Sequence, residues 1–290
     1  FDLPECKFVM DEAGHVVDVV LYERNEAHML IESFMLIANE TVAHACCKEK
    51  IPFLYRVHEQ PDGQKMFDFF QFAGQFGYKV ADNPDKVTPK ELQHLLKKVE
   101  GKPYEKLINS VMLRSLQKAR YAPKNLGHFG IAAKDYCHFT SPIRRYPDLL
   151  IHRIIKKFYL RNKDKKAMEW YNEFVEEASL LTSEREKLAE CAEREVDDLK
   201  KADYMQNHVG EIYEGVVSGA TNFGVFVELP NTVEGMCSME NLPTDNYVFI
   251  EKLYKLSGTK HDYQLGQKVR VMVDSVNLRK RQINFKMLEN

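Results

Sequence analysis

No stretch of this 290-residue chain approaches the roughly 18 consecutive apolar residues that a membrane-spanning helix requires, and its start has no charged-then-apolar leader pattern. A spanning helix is excluded, and the expected setting is the cytoplasm, with no membrane partner. The six cysteines, at positions 6, 46, 47, 137, 191 and 237, include no C-x-x-C pair, and the neighbours Cys46 and Cys47 would bridge only with strain. Two roles stay open for them: reduced, buried thiols, or zinc ligation by Cys46 or Cys47 with His44. Excess charge is lacking too. Forty-one Lys and Arg against 43 Asp and Glu leave a net charge of −2, which argues against a surface given over wholly to nucleic acid. There is no low-complexity tract. With 44% hydrophobic and 29% charged residues the chain reads as folded and globular.

The charge is nevertheless unevenly placed. Between Arg144 and Lys166 lie Arg144, Arg145, Arg153, Lys156, Lys157, Arg161, Lys163, Lys165 and Lys166, against only Asp148 and Asp164. Such a stretch can track a phosphate backbone or form a solvated helix face. It opens inside Tyr136-Cys137-His138-Phe139-Thr140-Ser141-Pro142-Ile143-Arg144-Arg145-Tyr146-Pro147-Asp148, which packs guanidiniums, aromatics and hydroxyls together. Arginine's planar fork of donors matches phosphate oxygens, and aromatics stack on bases of any sequence. The same composition also suits a buried ion-pair cluster, so spacing alone leaves both readings open.

Apolar periodicity predicts α+β architecture. Two strands, near Cys6 to Met10 and Val16 to Tyr22, flank a turn at Asp11–Gly14. From Asn25 to Lys48, Ala27, Leu30, Ile31, Phe34, Met35, Ala38, Val42 and Ala45 recur at helical spacing and form the expected buried stripe, with Glu32 and Asn39 seven apart on one face. Thr88-Pro89-Lys90-Glu91 is a capping box, Gly101 ends that helix, and another runs on to about Arg120. A helix bearing Leu149, Leu150, Ile154, Ile155 and Phe158 begins either near Pro147 or at Ser141-Pro142 with Pro147 bending it. Glu169 to Leu181 and a helix capped at Ser183 and reaching Asn207 complete the helical part. After Gly210 the pattern becomes short alternating strands, 211–218, 223–229, 233–239, 268–276 and 281–287, as in a five-stranded OB-fold barrel.

Asn125-Leu126-Gly127-His128-Phe129-Gly130, followed by His138 through Asp148, resembles the signature of the ribonuclease R and ribonuclease II family. Phe1-Asp2-Leu3-Pro4-Glu5, Ile31-Glu32-Ser33-Phe34-Met35 with Ala38-Asn39, and Leu54-Tyr55-Arg56-Val57-His58-Glu59 resemble it in the same order. The resemblance implies a division into 1–207, the C-terminal part of a ribonuclease II-type catalytic domain, and 208–290, an OB-fold RNA-binding domain of the S1 type. Residue 1 starts almost inside structure, so the chain is expected to be a C-terminal piece of a larger protein.

The activity so implied is magnesium-dependent 3′-to-5′ hydrolysis of single-stranded RNA, processively, to nucleoside 5′-monophosphates, by a monomeric enzyme. In the family the metal-holding aspartates precede the segment matching Phe1, so no metal ligands are expected here and the chain alone is expected to hydrolyse little. The resemblance assigns Arg144 to the scissile phosphate, Glu193 to support of the same site and Glu32 to the neighbourhood of the RNA terminus. Arg145 and Tyr146 of the signature, with Tyr55, Arg56 and His58, are expected along the RNA path. Glu193, Glu195, Asp197 and Asp198, with Asp203, are a weak substitute metal site, because Arg194, Lys200 and Lys201 interleave them like a solvated helix laced with ion pairs. On the barrel, Phe223 and Phe226 match two RNA-stacking aromatics of the S1 fold, while Ser238 stands where a histidine is usual. The alternative reading is a non-catalytic RNA-binding or regulatory module on the same scaffold.

Overall fold

Helix caps and strand alternation set the element order in a computed structural model that describes residues 5–102, 104–160 and 164–289. Phe1–Pro4 of the first matched segment, and Arg161 and Lys163 of the basic stretch, lie outside the described residues. The chain opens with a hairpin, β1 (Cys6–Met10) and β2 (Val16–Leu21). Helix α1 (Glu26–Lys48) follows, with Asn25 as N-cap. Next come β3 (Tyr55–Val57), α2 (Gly63–Gly74), α3 (Pro89–Val99), α4 (Glu105–Ser115) and β4 (Arg120–Ala122), which pairs antiparallel with β3. Thr88 and Glu91 make the reciprocal capping box expected for α3. Then come α5 (Tyr146–Ile154), continued by a π-helical turn over Ile155–Tyr159, and α6 (Lys165–Gln206).

Strands β5 (Ile212–Thr221), β6 (Gly224–Glu228) and β7 (Glu234–Ser238) follow, then a small sheet of β8 (Val248–Ile250), β9 (Lys255–Ser257) and β10 (Asp262–Gln264). Strands β11 (Lys268–Asn277) and β12 (Gln282–Met287) close a five-stranded barrel in the order β11-β12-β7-β6-β5. Alternation fills it: Val269, Val271 and Val273 of β11 point inward with Val225, Val227 and Phe285. Each such side chain contributes on the order of 1.5–3 kcal/mol of burial.

Two other cores position the remainder. The end of α1, β3, β4, α5 and the start of α6 bury Leu54, Val57, Cys137, Ile151 and Phe158. Helices α2 to α4 bury Met66, Phe69, Leu95, Ile108 and Met112, and Tyr254 and Leu265, which flank the small β8–β10 sheet beside the barrel, pack into that core. The hairpin inserts Val16 and Val19 into the barrel's core beside Ala202 and Met205 of α6. The barrel is therefore held on two sides, and Lys106 of α4 adds an ion pair to Glu228 at 3.3 Å.

Three expectations are corrected, and one small sheet is added. The segment expected as two helices is one continuous α6, because Ser183 caps nothing; its hydroxyl donates to Ser179 O and accepts from Tyr121 N on β4. The helix expected to reach Arg120 stops at Ser115, where β4 takes over to pair with β3. The apolar stripe of α1 is not its buried face: Asn39, Ala43 and Cys46 are buried, whereas Leu30, Ile31, Phe34, Met35 and Ile37 are exposed, Phe34 at 61%. The sheet β8–β10 was unforeseen, since three-residue strands carry too little alternation to register. Pro147 is settled at the second position of α5, where a missing N–H costs nothing. No described helix is long and apolar enough to cross a membrane.

Candidate nucleic-acid interface

The Tyr136–Asp148 segment is an irregular loop that runs into the first turn of α5 and is braced from beneath. Asn39 of α1 grips it at three points: its amide donates to Tyr136 Oη at 3.1 Å, its side-chain oxygen accepts from Phe139 N at 2.9 Å, and its carbonyl accepts from Cys137 Sγ at 3.2 Å. His152 of α5 donates from Nε2 to Phe139 O at 3.0 Å and stacks on that ring with centroids 4.2 Å apart. The fully buried Asp148 accepts from Ser141 N at 2.7 Å and from Arg145 Nη2 at 2.8 Å. Its place in the first turn of α5 also sets a carboxylate against the positive end of the helix.

These bonds curl Ser141–Arg145 into a tight turn in which the amides of Arg144 and Arg145 both point to Ser141 O. The consequence is a protruding edge. Ile143 is 103% exposed, Arg144 is exposed and makes no ion pair among the described residues, and Tyr146 is 44% exposed. A guanidinium with all five donors available, next to an exposed ring and at the start of a helix, is equipped to hold a phosphate and a neighbouring base or sugar. Arg145 is different: it is half-buried and engaged with Asp148. The two readings left open by spacing are thus divided, Arg145 forming the buried ion pair and Arg144 presenting the grip.

Of Tyr55, Arg56 and His58, expected along the RNA path, the first and last are buried and Arg56 is half-buried. Tyr55 is buried; Arg56 pairs with Glu186 of α6 at 2.5 Å and lies 4.8 Å over the Tyr121 ring. His58 Nδ1 accepts from Gly130 N at 3.0 Å, and a Cβ at Gly130 would approach that nitrogen to 2.7 Å, so only glycine fits. Glu32 sits on the exposed half of α1, joined to Arg24, whose hydrogen bond holds its carboxyl below the ordinary value. Glu193 is exposed on α6. Among the described residues neither glutamate forms a hydrogen bond or ion pair with the Tyr136–Asp148 loop. His44 is drawn to Asp135 at 2.9 Å, and burial pushes the Cys46 thiol up to about 12. No cluster of three or more His, Cys, Asp or Glu able to hold a metal occurs among the described residues.

Beneath the loop runs a chain of rings, buried at His58, Tyr136 and Tyr121 and half-buried at His128 and His138. His138 Nδ1 and the Tyr121 hydroxyl are hydrogen-bonded at 2.8 Å, and the same hydroxyl lies 3.5 Å from Glu186 Oε1. Burial, reinforced by nearby arginines, pushes His138 down to about 2, and burial pushes His128 down to about 4. Both folded values lie below the ordinary 6.5, so the unfolded chain takes up protons first as pH falls. Stability is untouched above about pH 6.5 and falls below it by about 1.4 kcal/mol per pH unit per histidine. Urea melts between pH 6 and pH 4.5 are expected to lose about 2.7 kcal/mol per unit from these two groups, and His138→Asn is expected to remove about half of that slope.

On the barrel, Phe223 stands 56% exposed at the β5–β6 turn, and Phe226 is half-buried on β6. Ser238 pairs with Gly224 across β6–β7, so the third position of this face is a hydroxyl. Lys268, Arg270, Arg279, Lys280 and Lys286 add positive charge on β11, β12 and their turn, and Arg281 reaches Glu195 of α6 at 3.5 Å.

Comparison with known proteins agrees with this layout. The RNB domain profile matches residues 1–161, and the S1 RNA binding domain profile matches residues 207–288. Ribonuclease R 1 of Lactococcus lactis is 39% identical over 99% of this chain, and ribonuclease R of Aquifex aeolicus is 41% identical over all of it. The chain spans 36% and 41% of the length of these relatives. The structure of Mycoplasma genitalium RNase R superposes with a TM-score of 0.92 in its apo form, at 26% identity over 99% of this chain and 46% of that one. In complex with ribose-methylated single-stranded RNA, that enzyme gives 0.91 at 27% identity with the same coverage.

Proposed function

We propose, from the premise that this chain belongs to the RNB domain family and carries an S1 RNA binding domain behind that match, that it is the phosphate-gripping and RNA-guiding part of a 3′-to-5′ exoribonuclease acting on single-stranded RNA. The observation that carries this reading is the Ile143–Tyr146 edge: Arg144 open to solvent on a turn that Asp148 holds through Ser141 N and Arg145. In phosphodiester hydrolysis negative charge grows on the non-bridging oxygens, and a fixed guanidinium stabilises that charge without reorganising. Residues 1–207 form the catalytic-domain part in this reading and 208–290 the domain that feeds RNA to it.

Magnesium ions supply water activation and leaving-group stabilisation in such hydrolysis. The described residues do not fit that role, since their carboxylates are dispersed or already paired. The metal-holding aspartates are therefore assigned to protein outside these 290 residues, and the exposed apolar half of α1 to the contact with it. Release of nucleoside 5′-monophosphates, processivity and a cytoplasmic setting belong to the same proposal. The same dispersal of carboxylates favours, as the second reading, a non-catalytic RNA-binding module. Magnesium-dependent release of mononucleotides by a polypeptide joining this chain to the rest of an RNB domain, and its loss on chelation, supports the nuclease; RNA binding without release supports the module.

Either reading requires the barrel to stack bases. Phe223→Ala is expected to weaken binding of single-stranded RNA by about 1–2 kcal/mol, roughly 5- to 30-fold, without altering the melting temperature, because an exposed ring packs against little. Fluorescence anisotropy with a labelled oligonucleotide and a thermal melt check the two halves of that statement.

A further inference from the structure

A concavity lies between α4 and the barrel. It measures about 260 Å³, somewhat below the size of a pocket for a drug-sized ligand, and its lining includes Arg114, Ser218, Gly219, Phe226, Glu234 and Tyr254. Arg114 is exposed, makes no ion pair among the described residues, and lies 5.8 Å from the centre of the Tyr254 ring. Tyr254 is fixed from behind by an edge contact to Phe72 of α2 at 6.2 Å. Its backbone adopts the left-handed conformation, φ +47°, a cost that a non-glycine residue bears only where surroundings impose it.

The opposite wall is open. Gly219 faces Phe226 across β5–β6, and a Cβ there would come within 3.4 Å of the Phe226 ring, so a side chain at this position would cover part of that ring. Ser218 Oγ donates to Glu234 Oε2 at 2.6 Å, which orients the carboxylate and leaves its second oxygen as an acceptor. One wall thus offers a cation stacked on an aromatic, and the other a bare ring face beside an acceptor.

We infer that this cleft is a single-nucleotide subsite for single-stranded RNA, in which a base lies against Phe226, its exocyclic amine donates to Glu234, and Arg114 holds the adjoining phosphate. The chemistry sets a preference. Adenine, cytosine and guanine carry an exocyclic amine; uracil presents carbonyl oxygens there, which a carboxylate repels. The subsite joins the helical part to the barrel, so RNA leaving the Phe223 face passes over the junction. It rests on the RNA-binding reading above and adds a base preference and two residues, Arg114 and Tyr254, outside the expected stacking pair.

The test uses the full 290-residue chain with fluorescein-labelled oligo(A), oligo(C) and oligo(U), by anisotropy across a salt series. Arg114→Ala is expected to weaken binding of all three by roughly five- to tenfold and to lower the slope of log K against log salt by about 0.7, one phosphate contact on a single strand. Arg114→Lys restores the salt slope but not the full affinity, because an ammonium does not stack. Wild type is expected to bind oligo(C) and oligo(A) several-fold tighter than oligo(U), and Glu234→Ala brings the ratio close to one. Both positions are exposed, and unchanged melting temperatures certify the folds. If Phe223→Ala weakens binding while Arg114→Ala leaves affinity and salt slope unchanged, the subsite is refuted and the barrel reading stands. If wild type binds none of the three at modest salt, both fall.

Discussion

Replacing Arg144 by alanine is expected to lower the rate of RNA hydrolysis roughly 100- to 1,000-fold, in a polypeptide carrying this chain together with the rest of an RNB domain. The magnitude is that of removing one preorganised donor from a site where anionic charge develops. Affinity is expected to change far less, because the guanidinium is one of several cations along the path and its advantage grows only as the phosphate approaches the transition state. Arg144→Lys is expected to recover part of the loss, since a point charge replaces the fork without its paired donors. Single-turnover rates, measured beside the dissociation constant of a non-hydrolysable oligonucleotide, separate the two effects. Parallel losses in rate and affinity would assign Arg144 to simple binding. Melting temperatures are expected to stay level, because the side chain is exposed and unpaired among the described residues.

The largest loss of stability is expected from Asp148→Ala. This carboxylate has no exposure, and it holds both Ser141 N and the Arg145 guanidinium. Breaking a buried pair from one side costs about 3–5 kcal/mol, because the remaining charge loses its partner inside the protein. Arg145 retains 24% exposure and relaxes toward water, which places the cost at the lower end, about 3 kcal/mol. For a chain of this size that is a fall of roughly 10 °C in melting temperature. Activity is expected to fall as well, since the turn presenting Arg144 hangs on the same carboxylate. Asp148→Asn keeps an acceptor for Ser141 N but gives Arg145 an uncharged partner, and is expected to lie between the two. Urea denaturation monitored by circular dichroism gives the ordering. A melt of Asp148→Ala equal to wild type would mean that the turn is held by other contacts.

Much of this arrangement was legible in residue order. Alternation marked all five barrel strands, the Thr88–Glu91 box marked the start of α3, and the guanidinium-rich segment was visible from composition alone. What residue order did not convey is which arginine is spent and which is available. Arg144 and Arg145 are chemically identical neighbours, separated only by Asp148 meeting one of them once the turn has formed. The burial of Tyr55, Arg56 and His58 was equally hidden, because the groups that enclose them come from far along the chain, Glu186 lying 130 residues beyond Arg56. Asn39 was marked as a polar residue on a helix face; its role as the loop's threefold anchor depends on contacts 97 to 100 residues away. The apolar face of α1 misled for a related reason: periodicity reports that a face is meant to be covered and says nothing of whether the cover lies within this chain.

The most direct test compares magnesium-dependent degradation of a 5′-labelled single-stranded RNA by two polypeptides. One is the 290-residue chain alone; the other is the same chain preceded by the remaining part of an RNB domain, taken from the Aquifex aeolicus relative if need be. Stepwise shortening from the 3′ end by the longer polypeptide, with the chain alone binding the RNA and leaving it intact, is the predicted result. Equal degradation by both would contradict the account, because it would require a metal site built from carboxylates within these residues, with Glu193, Asp197 and Asp198 as the first to be replaced.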